Sequence, residues 1–217
     1  MRRNRSLALI AGVAIVALAM AGPALGAKKT KFKAKPFVFD PGATGIVSAK
    51  WVTHQGLGDA GTSDHALVLQ KQGTTATVAS AGAAVSKVKN LVLTELGFDV
   101  EDGTHCSGGA PRYNVTLTDG SVFFFGCAHG DMTPWGADSQ GDTWTRVRFT
   151  DADAFYGGGP TLVWPGFGVA EVQAIHVVFD EGTDTVGLPV GATPALVRLD
   201  NLDVNGKLMG KPGNSKN

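Results

Sequence analysis

The stretch RLDNLDVNG, residues 198–206, decides the fold. From Asn201 onward, the run Asn201-Leu202-Asp203-Val204-Asn205-Gly206 has the spacing that opens a helix-loop-helix calcium loop. Such a loop needs a bidentate glutamate at its twelfth position, and that position is Pro212. It also needs flanking helices, whereas residues 195–199 have strand character and Leu202 and Val204 continue an apolar face. A bulge at Asp200-Asn201 would turn Val197, Leu199, Leu202 and Val204 to one side despite their uneven spacing. The stretch therefore reads as the closing strand of a sandwich, ending in an Asn205-Gly206 turn. A metal role shrinks to one ligand, Asp200 or Asp203, donated to a site elsewhere.

The rest of the chain has the same texture. Glycine, at 30 of 217 residues, is about twice its usual share of roughly 7%. Apolar residues fall in short blocks between Gly, Asp, Asn and Thr, which predicts many short strands and tight turns. The expected strands are 46–52, 66–71, 76–80, 91–100, 112–118, 121–126, 144–150, 172–180 and 196–204. Residues 80–90 fit a helix through their alanines or a strand through Val85 and Val88.

The clearest element is PRYNVTLTDGSVFFFGC, residues 111–127. Read as a two-residue turn, Asp119-Gly120 pairs Val115 with Phe124 and Arg112 with Cys127. One face is then Tyr113, Val115, Leu117, Val122 and Phe124, apolar enough for a core. The other mixes Arg112, Asn114 and Thr116 with Phe123 and Phe125, a face suited either to a sugar or to a covering loop.

The chain begins with Arg2, Arg3 and Arg5, an apolar run from Leu7 to Met20, and small residues at Ala24-Leu25-Gly26, the pattern of a general secretion signal cleaved near Gly26. The apolar run is short for a membrane span. Without residues 1–26, 191 of the 217 residues remain, and 16 of the 19 basic side chains face 19 acidic ones. That net charge is not the footprint of a nucleic-acid binder. Residues 27–45, locally basic from Lys28 to Lys35, are expected as a flexible arm, 46–206 as one domain and 207–217 as a polar tail. Cys106 and Cys127 both fall in the exported part, so they are expected to form a disulfide stapling the incoming loop to the open end of the hairpin. His105 and His129 beside them lack the usual C-x2-4-C spacing of zinc sites.

Taken in order, ALVLQK, NLVLTELGFDV, PRYNVTLTDGSVFFF, TWTRVRFTDADAF, VQAIHVVFDEGTD and VRLDNLDVNG resemble the successive strands of galactose-binding-like, jelly-roll carbohydrate-binding modules. The combination of HCSGGAPRYNV, FDEGTD and LDNLDVNG is similar to secreted actinobacterial-type proteins. The resemblance implies an all-β, two-sheet antiparallel jelly-roll sandwich, often with a structural calcium, and ligand contact on a concave sheet face or in loops at one end. Such modules usually deliver an attached enzyme to its polymer, whereas residues 46–206 are expected to act without an attached catalytic domain.

Chemistry-bearing residues divide into three groups. Asp180, Glu181 and Asp184, around Gly182, put three carboxylates within five residues and read as a calcium loop or as an ordinary polar turn. For a sugar, which offers apolar C–H faces and hydroxyl edges, the candidates are Trp135, Trp164 and Tyr156 in Gly- and Pro-rich loops, Asn114 on the hairpin, and Trp144 with Arg146. The loop aromatics read equally as caps on the core, and the arginine as a partner stacked on its own tryptophan. His176 reads as an outward-facing strand residue. Enzyme signatures are scarce. The string Ala137-Asp138-Ser139-Gln140-Gly141 lacks the first glycine of a nucleophile elbow, and Glu95 with Asp99 is the acid pair to mutate if hydrolysis is found.

The leading expectation is thus a secreted, non-catalytic binder of carbohydrate or a cell-envelope polymer. A structural or protein-interaction component of the cell exterior is the second, and a carbohydrate-active hydrolase or lyase the third.

Overall fold

The computed structural model describes residues 31–58, 64–157, 162–182, 195–211 and 214–215. The expected signal segment, the first lysines of the arm and Asp184 lie outside them. The strands in chain order are β1 (Ala34–Phe39), β2 (Val47–Thr53), β3 (His65–Lys71), β4 (Ser80–Val85), β5 (Leu91–Val92), β6 (Leu96–Glu101), β7 (Arg112–Leu117) and β8 (Val122–Gly126). They continue with β9 (Asp131–Ala137), β10 (Thr143–Arg148), β11 (Phe155–Tyr156), β12 (Glu171–Phe179), β13 (Leu196–Val204), β14 (Lys207–Lys211) and β15 (Asn214–Ser215).

Two antiparallel sheets pack face to face. Sheet A is ordered β1-β4-β12-β7-β8-β11, with β5 beside β12, and sheet B runs β15-β14-β13-β6-β10-β9, with β3 on β13 and β2 on β3. Leaving aside β1, β2, β5, β9, β11, β14 and β15, sheet B is β3-β13-β6-β10 and sheet A is β4-β12-β7-β8. First beside last, then third and sixth, against second, seventh, fourth and fifth, is the jelly-roll path of two Greek keys. Among the described residues no helix is long and apolar enough to cross a membrane.

The core forms where alternating side chains of the two sheets meet. Sheet A supplies Ala81, Ala83, Tyr113, Val115, Phe123, Phe125, Ile175, Val177 and Phe179, and sheet B supplies Leu67, Leu69, Phe98, Val147, Val197 and Leu199. Each of the larger apolar chains stabilises the fold by about 1.5–3 kcal/mol on burial. The expected bulge is present: pairing of β13 with β6 slips between Asp200 and Asp203, Asn201 takes a left-handed φ of 48°, and Leu202 and Val204 stay fully buried.

Four expectations change. The hairpin register is one residue away from the expected one, pairing Val115 with Phe123 and Asn114 with Phe124. Leu117 closes on Ser121 around a three-residue turn in which Gly120 has φ 89°, so Phe123 and Phe125 point inward and Val122 and Phe124 outward. Residues 27–45 do not form an arm throughout, because Phe32 and Ala34 are buried and β1 pairs with β4. The polar tail returns as β14 on β13, with Met209 buried. Finally, the expected strand at 76–80 is a turn leading into β4, which is the strand form of the undecided 80–90 segment.

Candidate functional site

The outer face of sheet A is built from the alternate residues that the core does not use. Across the sheet, Phe37 of β1 faces Gly82 of β4, Gly82 faces Val178 of β12, and Val178 faces Arg112 of β7. One step along, His176 lies between Ala84 and Asn114, and Asn114 faces Phe124. Small residues on β4 thus leave a trough between the phenylalanines of β1 and the polar side chains of β7. A Cβ at Gly82 would stand 2.6 Å from the tip of the Phe37 ring and 2.4 Å from the Val177 carbonyl. Glycine there lets Phe37 lie down over the sheet, where its ring meets His176 edge-on at 5.9 Å.

The trough holds about 700 Å³. Phe37, Val38, Phe39 and Val78 make one side, Arg112 and Asn114 the other, and His176 and Val178 the floor. Val38 and Phe39 are each 54% exposed and Val78 73% exposed. Burial holds the pKa of His176 below its ordinary value, which keeps the ring neutral at pH 7.

One end of the trough is fixed by charged groups that are engaged with each other. Arg112 grips Asp180 in two parallel bonds of 2.7 Å, donates from Nη1 to the Gly109 carbonyl at 2.8 Å, and from Nε to Asn114 Oδ1 at 2.9 Å. Its guanidinium also lies 5.0 Å from the centre of the Phe124 ring. Glu181 accepts hydrogen bonds from His105 Nε2 and Ser107 Oγ. Burial pushes the Glu181 pKa up, but those two donors outweigh it and leave the carboxyl below its ordinary value. Lys71, fully buried, donates from Nζ to the carbonyls of Thr77 and Asp180 at 2.6 Å and of Thr75 at 3.4 Å. That ammonium ties the Thr74–Thr77 turn, which forms a rim of the trough, to the end of β12. The Cys106–Cys127 disulfide, with Cα atoms 5.3 Å apart, anchors the loop carrying Ser107 and Gly109 to the hairpin as expected.

The other sequence candidates are dispersed. Asn114 is in the trough. Asp180 and Glu181, read from sequence as part of a calcium loop or a polar turn, accept hydrogen bonds from Arg112 and from His105 and Ser107 respectively, and Asp184 is outside the described residues. Trp164 is a core residue, packed on Phe123, Phe125 and Phe167, with its Nε1 donating to Asp151 at 2.9 Å. Tyr156 is half-buried against Phe123. Trp144 does turn away from the main core, but it is buried in a second apolar cluster with Leu57, Ala66 and Val68. Trp135 is 51% exposed on β9 and is the tryptophan over which Arg146 stacks, at 3.2 Å. Glu101 of β6 and Asp138 and Asp142 of the β9–β10 connection bring carboxylate oxygens within 4.8 Å of one another. There Glu101 accepts from Arg198, and Asp138 from Trp144 and from the backbone of Gln140 and Asp142.

Phe37, Phe39 and Gly82 carry no site signal in the sequence, whereas Arg112 is legible there through its alternation with Asn114 on the face of the hairpin suited to a sugar. In comparisons with known proteins, the chain matches no family model, no curated protein and no solved structure.

Proposed function

We propose that the protein is a secreted, non-catalytic binder of carbohydrate or of a cell-envelope polymer, and that the trough on sheet A is its binding site. The observation that carries this reading is the concentration of exposed apolar surface on one rim, Val38, Phe39 and Val78, facing polar Arg112 and Asn114 across about 700 Å³. That volume suits a ligand of several rings. Exposed apolar surface beside oriented donors matches a sugar, whose C–H face seeks an apolar plane and whose hydroxyls seek hydrogen bonds. The jelly-roll fold and the signal-like N-terminus agree with the reading, and the disulfide is compatible with an oxidising compartment.

A structural or interaction role on the cell exterior is the second reading, favoured by the burial of Trp164 and Trp144 in apolar clusters.

Affinity electrophoresis against a panel of polysaccharides tests the choice. Retention of the wild-type protein, lost in Phe37→Ala and Asn114→Ala but kept in Trp135→Ala, supports the trough. Absence of retention on every polymer sinks the carbohydrate reading in favour of the second one. Loss confined to Trp135→Ala moves the site to sheet B. The panel repeated with chelator tests the structural calcium that the family resemblance implies, which should show as a lower melting temperature.

A further inference from the structure

The charges around the trough are matched in pairs before any ligand arrives. Arg112 carries five N–H bonds, and four of them are engaged: one by Asn114, one by Gly109 and two by Asp180. The carboxylate of Asp180 fills the guanidinium fork, the geometry in which a ligand carboxylate or sulfate would otherwise bind. Lys71 has no exposed surface, and its ammonium is surrounded by three carbonyls. His176 is neutral at pH 7. Glu181, at the same end, is taken up by hydrogen bonds from His105 Nε2 and Ser107 Oγ. What is offered to a ligand is a set of dipoles. Because Asn114 Oδ1 accepts from Arg112, the amide is oriented with its Nδ2 hydrogens as outward donors.

We infer that the trough discriminates by charge, accepting neutral glycans and rejecting those bearing uronate or sulfate groups, with Asp180 as the residue that sets this choice. The inference rests on the glycan-binding reading of the trough and names the class of glycan. An anionic sugar ring entering beside Arg112 meets a fork already occupied, and must either displace Asp180 or lie next to it. Both alternatives bring like charges together in a partly desolvated site. A neutral ring needs only acceptors for Asn114 Nδ2 and the remaining Arg112 N–H, together with a C–H face for Phe37 or Phe39.

The test measures binding of a neutral polysaccharide, such as a mannan or galactan, and a uronate polymer, such as alginate, to the wild-type protein and to Asp180→Asn. The wild type should bind the neutral polymer at least about tenfold more tightly, and that binding should be insensitive to salt. Asp180→Asn keeps the shape of the side chain while freeing the charge of Arg112, so it should gain binding to alginate that salt weakens. A wild type that binds alginate as tightly as the neutral polymer, or a folded Asp180→Asn protein without that gain, overturns the charge discrimination and leaves the trough standing as a glycan site. Retention of the wild type on neither polymer overturns both. If Asp180→Asn does not fold, judged by circular dichroism, the wild-type preference and its salt response decide the matter.

Discussion

Arg146 and Asp99 form a two-pronged ion pair across the outer side of sheet B, with Nε–Oδ1 at 2.8 Å and Nη2–Oδ2 at 2.9 Å. Asp99 has no exposed surface, and its Oδ2 also accepts from Asn201 Nδ2 at 2.6 Å, so the bulge of β13 closes onto the pair. The opposite aspect of the guanidinium is the one stacked on Trp135. Removing one member leaves the other charged, desolvated and unmatched. Asp99→Ala should therefore destabilise the protein by about 3–5 kcal/mol. The double variant Asp99→Ala/Arg146→Ala should cost clearly less than the two single changes added together, as a urea-unfolding double-mutant cycle will show. Asp99 is thus a structural acid. The pairing with Glu95 considered for hydrolysis would leave one of its two carboxyls shut away from substrate.

Asp203 makes stability depend on pH. It is buried on β13, with Oδ2 3.3 Å from Arg148 Nη2 and Oδ1 without a partner among the described residues. Burial first, and then the neighbouring charge of Glu95, raise its pKa to about 6 from an ordinary 3.8, against the opposing pull of Arg148. The folded state therefore holds a proton that the unfolded chain has released between those values. The stabilisation is fully present below about pH 4 and is lost as pH rises through about 6, on the order of 3 kcal/mol. Glu101, raised chiefly by burial, acts in the same direction. Asp203→Asn should raise the melting temperature above about pH 7, change it little near pH 4, and flatten the slope between. Equal destabilisation at both pH values would contradict this account.

The disulfide closes a loop of sequence separation 21 and ties the Ser107–Ala110 turn to β8. Replacing both cysteines by alanine should lower unfolding free energy by about 3 kcal/mol. Guanidinium titrations of the variant, and of the wild type with and without reductant, will show it. On the proposed glycan-binding role, retention should weaken as well, since Ser107 and Gly109 hold Glu181 and Arg112 in place.

Gly82 is the position where one added methyl should flatten the trough. Its Cβ would collide with both the Phe37 ring and the Val177 carbonyl. Gly82→Ala should therefore cost about 1–3 kcal/mol as overpacking, and it should reduce retention by lifting Phe37 off the sheet. Melting curves and affinity gels measured together will show both effects. A variant with wild-type stability and retention would mean that Phe37 is not held by that contact.

Much of the fold was legible because alternation and turn chemistry are local. The closing strand could be read through its bulge, since four inward apolar residues separated by an odd step leave few other solutions. The hairpin was legible as a hairpin but not in register. In Val122-Phe123-Phe124-Phe125 every residue is apolar, so either alternate set satisfies a core, and the period that normally fixes register is missing. β9 escaped because its residues are exposed throughout and carry no alternation. β1 escaped because Lys35, Pro36 and the lysines before it read as an arm, although Phe32 and Ala34 anchor it.

The amino-acid sequence by itself determined the all-β class, the order of most strands, the closing bulge, the Asn205-Gly206 turn and the disulfide pairing, because each depends on residues close in the chain or on a choice of two cysteines. Only the tertiary structure decided which aromatic rings are core and which face solvent. Trp164 looks much like Trp135 in sequence, and Trp144 reads as an outward strand residue, yet Trp144 is covered by Leu57, Ala66 and Val68 and Trp164 by Phe123, Phe125 and Phe167. The trough likewise required four strands to meet. Phe37, Gly82, His176 and Arg112 span much of the chain, and their shared face exists only because the jelly-roll path lays β1, β4, β12 and β7 side by side. Burial and concavity are properties of what packs over a residue, and for these residues that partner is set by long-range pairing.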